Sequence, residues 1–286
     1  MKWLDGAELA SYMQEQQAVE VRRLKGAWAE RGEKGRTPKL LILQDHENKV
    51  SEIYVKKKLA YAEEIGAEAE FKIVEPEDLA TAIATANADE SVDGIIVQLP
   101  ILGDYAVLDT ILPEKDVDGL RSDNGTGGEA SEQAAAALPI FQSATAEAIN
   151  YLLTAYDVEL KGKKIAIIGY GRLVGKPLAR MWQGMGLDVS VFRSKDAAIL
   201  PEVLPEFDVV VSGTGVAGLV KPEMLKTGAV VVDAGTATDK NGISGDFAPE
   251  VLERTDLTMT KKVGGVGPVT VATLFAHLLQ SARNRL

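Results

Sequence analysis

The segment Lys164–Pro177, KIAIIGYGRLVGKP, constrains this chain more than any other stretch. An apolar run suited to a strand buried on both faces meets Gly169, Gly171 and Gly175 and then a helical pattern. Glycines at such a junction allow a tight strand-to-helix turn and let backbone N–H groups approach a pyrophosphate at the helix N-terminus. The spacing is G-x-G-x-x-x-G, one residue longer than the usual dinucleotide fingerprint, so its weight comes from the strand–turn–helix context. Around it, short apolar segments alternate with helical ones, the pattern of mostly parallel sheets with crossover helices. Strands are expected at 39–44, 70–74, 94–98, 164–169, 188–192, 208–212 and 229–233. Helices are expected at 50–65, 145–156 and 176–185, with a last one at 268–286. The soft stretch NGTGGEASEQAAAA, residues 124–137, marks the expected junction between two α/β domains.

Composition narrows the partners. Lys plus Arg number 31 against 42 Asp plus Glu, a net charge of −11 over 286 residues. The chain lacks the basic excess that phosphate-backbone binding usually shows, so nucleic acid is not an expected partner. There is no cysteine and there are two histidines, His46 and His277. A thiolate site, a cysteine nucleophile and a multi-histidine metal centre are therefore not expected. No apolar run suits a signal peptide or a membrane span, and the expected setting is cytoplasmic.

The strand at 188–192 should end near the adenosine ribose. An NAD site usually carries an acid there, whereas this chain has Arg193-Ser194-Lys195. Two cations and a hydroxyl favour a 2′-phosphate, hence NADP over NAD, with Asp196 the dissenting residue and a solvated basic turn the alternative.

A second signal lies in VSEIYVKKKLAYAEEI, residues 50–65. At roughly 100° per residue, Glu52, Lys56 and Glu63 share a polar side. Val50, Tyr54, Val55, Leu59, Tyr61, Ala62 and Ile65 span the opposite arc, with Ser51 and Lys58 projecting into it. A lysine there must be paired, neutral or facing a ligand cavity, or else snorkel to water; the helix alone leaves both readings open. Gln98, followed by Leu99-Pro100, closes the apolar run GIIVQ at the carboxyl edge of a sheet, where ligands bind in open α/β folds. PEKDVDG places Asp116 and Asp118 in a turn, where a capping role is the plain alternative. KVGGVGPVT joins Gly264, Gly265 and Gly267 to Pro268 at a helix start.

Together these segments resemble the bifunctional methylenetetrahydrofolate dehydrogenase/methenyltetrahydrofolate cyclohydrolase family. SEIYVKKK, VQLP, PEKDVDG, GYGRLVGKP, GDF at 245–247 and GGVGPVT stand in the family's order across nearly the whole chain. The resemblance implies a folate-binding catalytic α/β domain over 1–138, joined by the helix 268–286. A Rossmann-type parallel-sheet domain for NADP over 139–267 follows, with a cleft between the two. It implies one-carbon metabolism that feeds purine biosynthesis, a tetrahydrofolate derivative as substrate and a homodimer. It places the catalytic set on Tyr54, Lys58, Gln98 and Asp118, and substrate contacts on Ser51, Leu99, Pro100, Gly265 and Pro268 as well. Cofactor contacts fall on Gly169, Tyr170, Gly171, Arg172, Val174, Gly175, Arg193, Ser194, Lys195, Gly213, Thr214 and Gly215, with no metal.

The chain departs from the family at its cofactor half. The usual Arg-Ser pair in the glycine turn is Tyr170-Gly171, Pro-Cys-Thr-Pro is Ser143-Ala144-Thr145-Ala146, and Thr-Pro-Val-Pro is Thr260-Lys261-Lys262-Val263. The added lysines are candidates to meet phosphates or folate glutamates. The alternatives are an NAD-linked or monofunctional dehydrogenase of the family, a non-catalytic folate- or nucleotide-binding homologue, and an unrelated Rossmann dehydrogenase.

Overall fold

A computed structural model describes residues 1–122, 141–235, 237–239 and 242–286, of which the side chains at 237–239, 242 and 243 are left aside. The expected junction at 124–137 lies outside the described residues. The chain divides into two compact units, Ala10–Ala144 with Val271–Leu286, and Met1–Leu9 with Thr145–Thr270.

In the first of these units the strands are β2 (Lys39–Gln44), β3 (Glu68–Ile73) and β4 (Gly94–Val97). They form a parallel sheet in the order β3-β2-β4. The helices are α1 (Gly6–Glu30), which begins in the other unit, α2 (Lys49–Ile65) and α3 (Leu79–Ala88). LLIL in β2 and GIIV in β4 are buried throughout, which is why these strands read as continuous apolar runs rather than alternating ones. The apolar side of α2 packs Val55, Tyr61, Ala62 and Ile65 into a core shared with Trp28, Leu40, Ile42 and Ile96. The last helix, α7 (Val266–Asn284), contributes Phe275, Leu278 and Leu279 to the same core. Val50, expected on the apolar arc, is instead 41% exposed because it sits in the first turn of α2, beyond the edge of that core.

The other unit has a six-stranded parallel sheet in the order β1-β11-β8-β7-β5-β6. Its strands are β1 (Lys2–Leu4), β5 (Lys164–Ile168), β6 (Asp188–Phe192), β7 (Val209–Ser212), β8 (Val230–Asp233) and β11 (Thr258–Thr260). Helices α4 (Ala144–Ala155), α5 (Gly175–Gly184) and the single turn α6 (Leu200–Val203) join them, and β9 (Ala237–Asp239) and β10 (Gly242–Ser244) form a separate antiparallel pair. The expectation that residues 1–138 stay together is corrected here. Lys2–Leu4 pairs in parallel with Thr258–Thr260 at the sheet's far edge, so the first nine residues lie with the second unit. Among the described residues no helix is long and apolar enough to cross a membrane.

Each sheet reverses direction once. In the smaller one β2 lies between β3 and β4, so the topological switch falls between β2 and β4. In the larger one β5 lies between β6 and β7, and the switch falls there. Ligands of open α/β sheets bind beyond the carboxyl ends of strands at such points.

The unit with the three-stranded sheet also contains a buried lysine whose amine is fully occupied. Lys115, 3% exposed, donates to the carbonyls of Ala86 and Asn87 at 2.9 Å each and of Asp89 at 2.7 Å. These are carbonyls that the end of α3 leaves without helical partners. Lys115→Met should lower stability by about 3 kcal/mol, the scale of leaving buried acceptors unpaired. Urea unfolding checks this, and an unchanged midpoint would contradict it.

Candidate active site

At the switch point of the smaller sheet, β4 ends at Val97 and the Gln98 N–H donates to the Leu43 carbonyl of β2 at 2.7 Å. That pairing points Gln98 at α2, which follows β2. Asn48 caps α2, its side chain accepting from the N–H groups of Val50 at 3.0 Å and Ser51 at 3.1 Å. The helix therefore presents Ser51, Tyr54 and Lys58 on successive turns of one side. Lys58 is 8% exposed and Ser51 3%, whereas Lys56 and Lys57 are exposed. The Lys58 Nζ donates to Gln98 Oε1 at 2.8 Å. Snorkelling to water is thus not what this side chain does. Ser51 Oγ and Gln98 Nε2 both donate to the Leu99 carbonyl, at 3.2 and 3.1 Å, and the Leu99–Pro100 peptide is cis. Tyr54 is half-buried, with the Lys57 amine 5.7 Å from its ring centroid.

The PEKDVDG turn separates its two aspartates. Asp116, 2% exposed, accepts from the N–H groups of Gly119 at 3.1 Å and Arg121 at 3.0 Å. It is the turn aspartate, and burial pushes its pKa up to about 7. Asp118 is half-buried and has no such turn bonds. Desolvation raises its pKa, opposed by the charges of Lys58 and then His277. Desolvation likewise lowers the pKa of Lys58, opposed by Asp118. The two groups are electrostatically coupled, and each is held towards its neutral form by the low-dielectric surroundings.

Two further residues of this site carry no local sequence signal. Asp45, 2% exposed, takes the Leu102 N–H at 2.6 Å and pairs with His46 Nδ1 at 2.6 Å, bracing the loop that carries Gln98. His277 binds the Val117 carbonyl through Nδ1 at 2.9 Å and stacks on Phe141 at 4.8 Å, beside the Asp118 turn. Their partners lie in other elements, which a one-dimensional pattern does not reveal.

In the unit with the six-stranded sheet the expected cofactor residues follow the carboxyl ends of β5, β6 and β7. Gly169 has φ +96°, and a Cβ on Gly175 would fall on the Gly169 carbonyl. Both positions are therefore closed to any other residue. Gly171 differs, since a Cβ there would meet nothing within 4 Å. Val174 packs against Gly213, and the Gly213 N–H donates to the Ile168 carbonyl at 2.9 Å across the switch point. A Gly-lined turn opening α5 at its N-terminus fits the diphosphate of a dinucleotide.

Asp196 is committed elsewhere than to a ribose: it accepts the Arg193 N–H at 2.8 Å. Among the described residues the side-chain charges of Arg193 and Lys195 have no carboxylate partner, and Arg172, in the glycine turn, is half-buried. Beyond β7, Asp246 is fully buried, and its Oδ2 accepts from Ser212 Oγ and the Thr214 N–H, both at 2.6 Å. Asp233 in turn accepts the Asp246 and Gly235 N–H groups at 3.1 Å each. Its pKa is pushed up to about 6 by burial, with the Asp246 charge adding. These carboxylates brace the 213–215 loop and were not among the expected site residues.

Gly265 and Pro268 lie in the unit with the six-stranded sheet, around the start of α7, and Lys58 in the other. Of the lysines suggested for anion contacts, Lys261 is taken by an ion pair with Asp5, while Lys262 is exposed.

Known proteins of similar sequence and structure match both halves of the chain. A sequence model described as tetrahydrofolate dehydrogenase/cyclohydrolase, catalytic domain, matches residues 4–118, and one described as the NAD(P)-binding domain matches 143–286. A bifunctional protein FolD of Hydrogenobaculum sp. is 34% identical over 293 residues, covering 100% of both chains. The crystal structure of the bifunctional enzyme FolD from Campylobacter jejuni superposes with a TM-score of 0.86 at 31% identity and covers 100% of both chains. The Trypanosoma brucei enzyme, solved with NADP cofactor and inhibitor, gives 0.83 at 30% identity, covering 98% of this chain and 96% of that one.

The depressed Lys58 pKa has a consequence for stability. A lysine that titrates lower in the folded state than at its ordinary value of 10.5 binds fewer protons folded than unfolded. Its contribution is complete above 10.5 and is lost as pH falls through the folded value. Lys58→Met should therefore melt higher than the parent at pH 7, with the gain shrinking towards pH 10. Paired thermal melts check this, and a pH-independent difference would contradict it.

Proposed function

The chain belongs to the tetrahydrofolate dehydrogenase/cyclohydrolase family, and from that premise we propose which of its residues carry the two reactions. The protein oxidises 5,10-methylenetetrahydrofolate to the 5,10-methenyl cation and hydrolyses that cation to 10-formyltetrahydrofolate. Bound NADP supplies the hydride acceptor for the first reaction, and the fit of the Gly169–Gly175 turn to a dinucleotide supports its seat there. Gly169, Gly171 and Gly175 leave room for the diphosphate, with Tyr170, Arg172 and Val174 completing the turn. Gly213, Thr214 and Gly215, braced by Asp246, form the facing loop. Arg193, Ser194 and Lys195 receive the 2′-phosphate, since no acid is free at that strand end to prefer an unphosphorylated ribose.

Folate is held by the unit with the three-stranded sheet. Asp118 accepts hydrogen bonds from the amino group and adjacent ring N–H of the pterin, a pair of donors that suits one carboxylate. Tyr54 packs along the folate, and Ser51, Leu99 and Pro100 line its seat. Gly265 and Pro268 complete the substrate set only as an expectation from the family pattern.

For hydrolysis, water adds to the methenyl carbon and gives up one proton, the ring nitrogen takes a proton as its C–N bond breaks, and the remaining hydroxyl proton leaves as the formyl C=O forms, so one proton is released overall. Lys58 takes the proton from the attacking water and returns one to the ring nitrogen, and the last proton goes to solvent. Its amine is buried, which favours the neutral form, and a cationic substrate nearby lowers its proton affinity further. Gln98 fixes the amine through a bond that needs no charge on either partner. The observation that carries this reading is the 2.8 Å contact from Lys58 Nζ to Gln98 Oε1 within a buried site. A homodimer in the cytoplasm belongs to the same reading, on the strength of the family resemblance.

Lys58→Met should cut methenyl hydrolysis by about 10²- to 10⁴-fold, the usual contribution of a positioned acid–base group. NADP reduction in the same variant should persist, so methenyl absorbance should accumulate. Hydrolysis at the parental rate would remove Lys58 from the role.

A further inference from the structure

Tyr170 stands where the family resemblance expects an arginine, and its ring is not idle. The guanidinium carbon of Arg193 lies 4.3 Å from the Tyr170 ring centroid. The two side chains come from neighbouring strand ends, tied by the Gly169 N–H donating to the Phe192 carbonyl at 2.8 Å. Arg193 is thus fixed at two points. Its N–H is held by Asp196 Oδ2 at 2.8 Å and its carbonyl accepts the Asp196 N–H at 2.8 Å, while its far end rests on the ring. Its charge is unspent, because among the described residues no carboxylate pairs with it. Tyr170 is 39% exposed and a Cβ at Gly171 would meet nothing within 4 Å, so the surface beside the stacked pair is open.

A guanidinium lying flat on an aromatic face keeps its edge N–H donors directed outwards, and that planar fork matches two oxygens of a phosphate. The same restraint removes rotamer freedom that a free arginine would lose on binding. We propose that Tyr170 is a specificity-determining positioning residue, holding Arg193 as the receptor for the 2′-phosphate of NADP. The charge that the family places within the glycine turn is thereby supplied from the end of β6 instead, and an aromatic ring at the old position aims it. This rests on the reading that the turn binds NADP.

The test compares Michaelis constants for NADP and NAD in the parent, Tyr170→Phe, Tyr170→Leu, Arg193→Ala and the Tyr170→Leu/Arg193→Ala double variant. Tyr170→Leu should raise the constant for NADP about 2- to 5-fold relative to that for NAD, the change an exposed cation–π contact supports. Tyr170→Phe, which keeps the ring, should keep the parental ratio of the two constants. Arg193→Ala should raise the NADP constant further, and in that background Tyr170→Leu should have no additional effect. Equal effects of Tyr170→Leu on both cofactors, or full additivity in the double variant, would overturn the positioning role. If Arg193→Ala discriminates between the cofactors and Tyr170→Leu does not, Tyr170 alone loses its assignment. If Arg193→Ala fails to discriminate, the phosphate-receptor reading falls with it.

Discussion

The Lys58 amine is buried against a neutral amide, not a carboxylate, and the chemistry proposed for the unit with the three-stranded sheet depends on that choice of partner. A lysine paired directly with an acid would stay charged, whereas one bonded to Gln98 Oε1 at 2.8 Å under strong desolvation can give up its proton. The Asp118 charge opposes this effect, so the protonation states of the two groups are coupled. Lys115 makes the contrast within the same unit. It too is buried, but three carbonyls at 2.7 to 2.9 Å occupy its amine and leave it only a structural role.

The same topology that places Lys58 places the cofactor residues. Each parallel sheet reverses its strand order once, and each reversal brings a loop from one neighbouring strand against that from another. In the smaller sheet this joins Gln98 to the end of β2, with Asp45 holding the Leu102 N–H behind it. In the larger it joins Gly169 to Gly213, with Asp246 buried behind them and bonded to Ser212 and Thr214. Both loops are thus braced by a buried aspartate that itself lies behind the binding surface. Rigid support of this kind fixes side-chain position for catalysis and binding.

Features set by local periodicity were legible in the sequence. The strand β5, its glycine turn and the helix α5 follow from one apolar run and its breakers. The 100° spacing along α2 distinguishes Lys58 from Lys56 and Lys57 without any structure. Features set by distant pairing were not legible. Lys2–Leu4 is three residues long and finds its parallel partner at Thr258–Thr260, so nothing near it in sequence marks it as a strand. Asp45 and His277 read as ordinary polar residues until their partners from other elements are known, and the GDF segment marks Asp246 without showing that it bonds Ser212 and Thr214. Asp196 stands near a ribose acceptor's place, but one of its carboxylate oxygens accepts the N–H of Arg193 three residues earlier. The Tyr170–Arg193 contact joins the residue in place of the turn arginine to a cation at the end of β6.

The central claim is that burial keeps the Lys58 amine available as a neutral base, and its own titration tests this most directly. Lysine side chains labelled at Cε can be followed by carbon NMR against pH, with Lys58→Met used to assign the Lys58 resonance. The account predicts a midpoint clearly below the ordinary lysine value of 10.5. A Lys58 resonance that titrates at that ordinary value would contradict it.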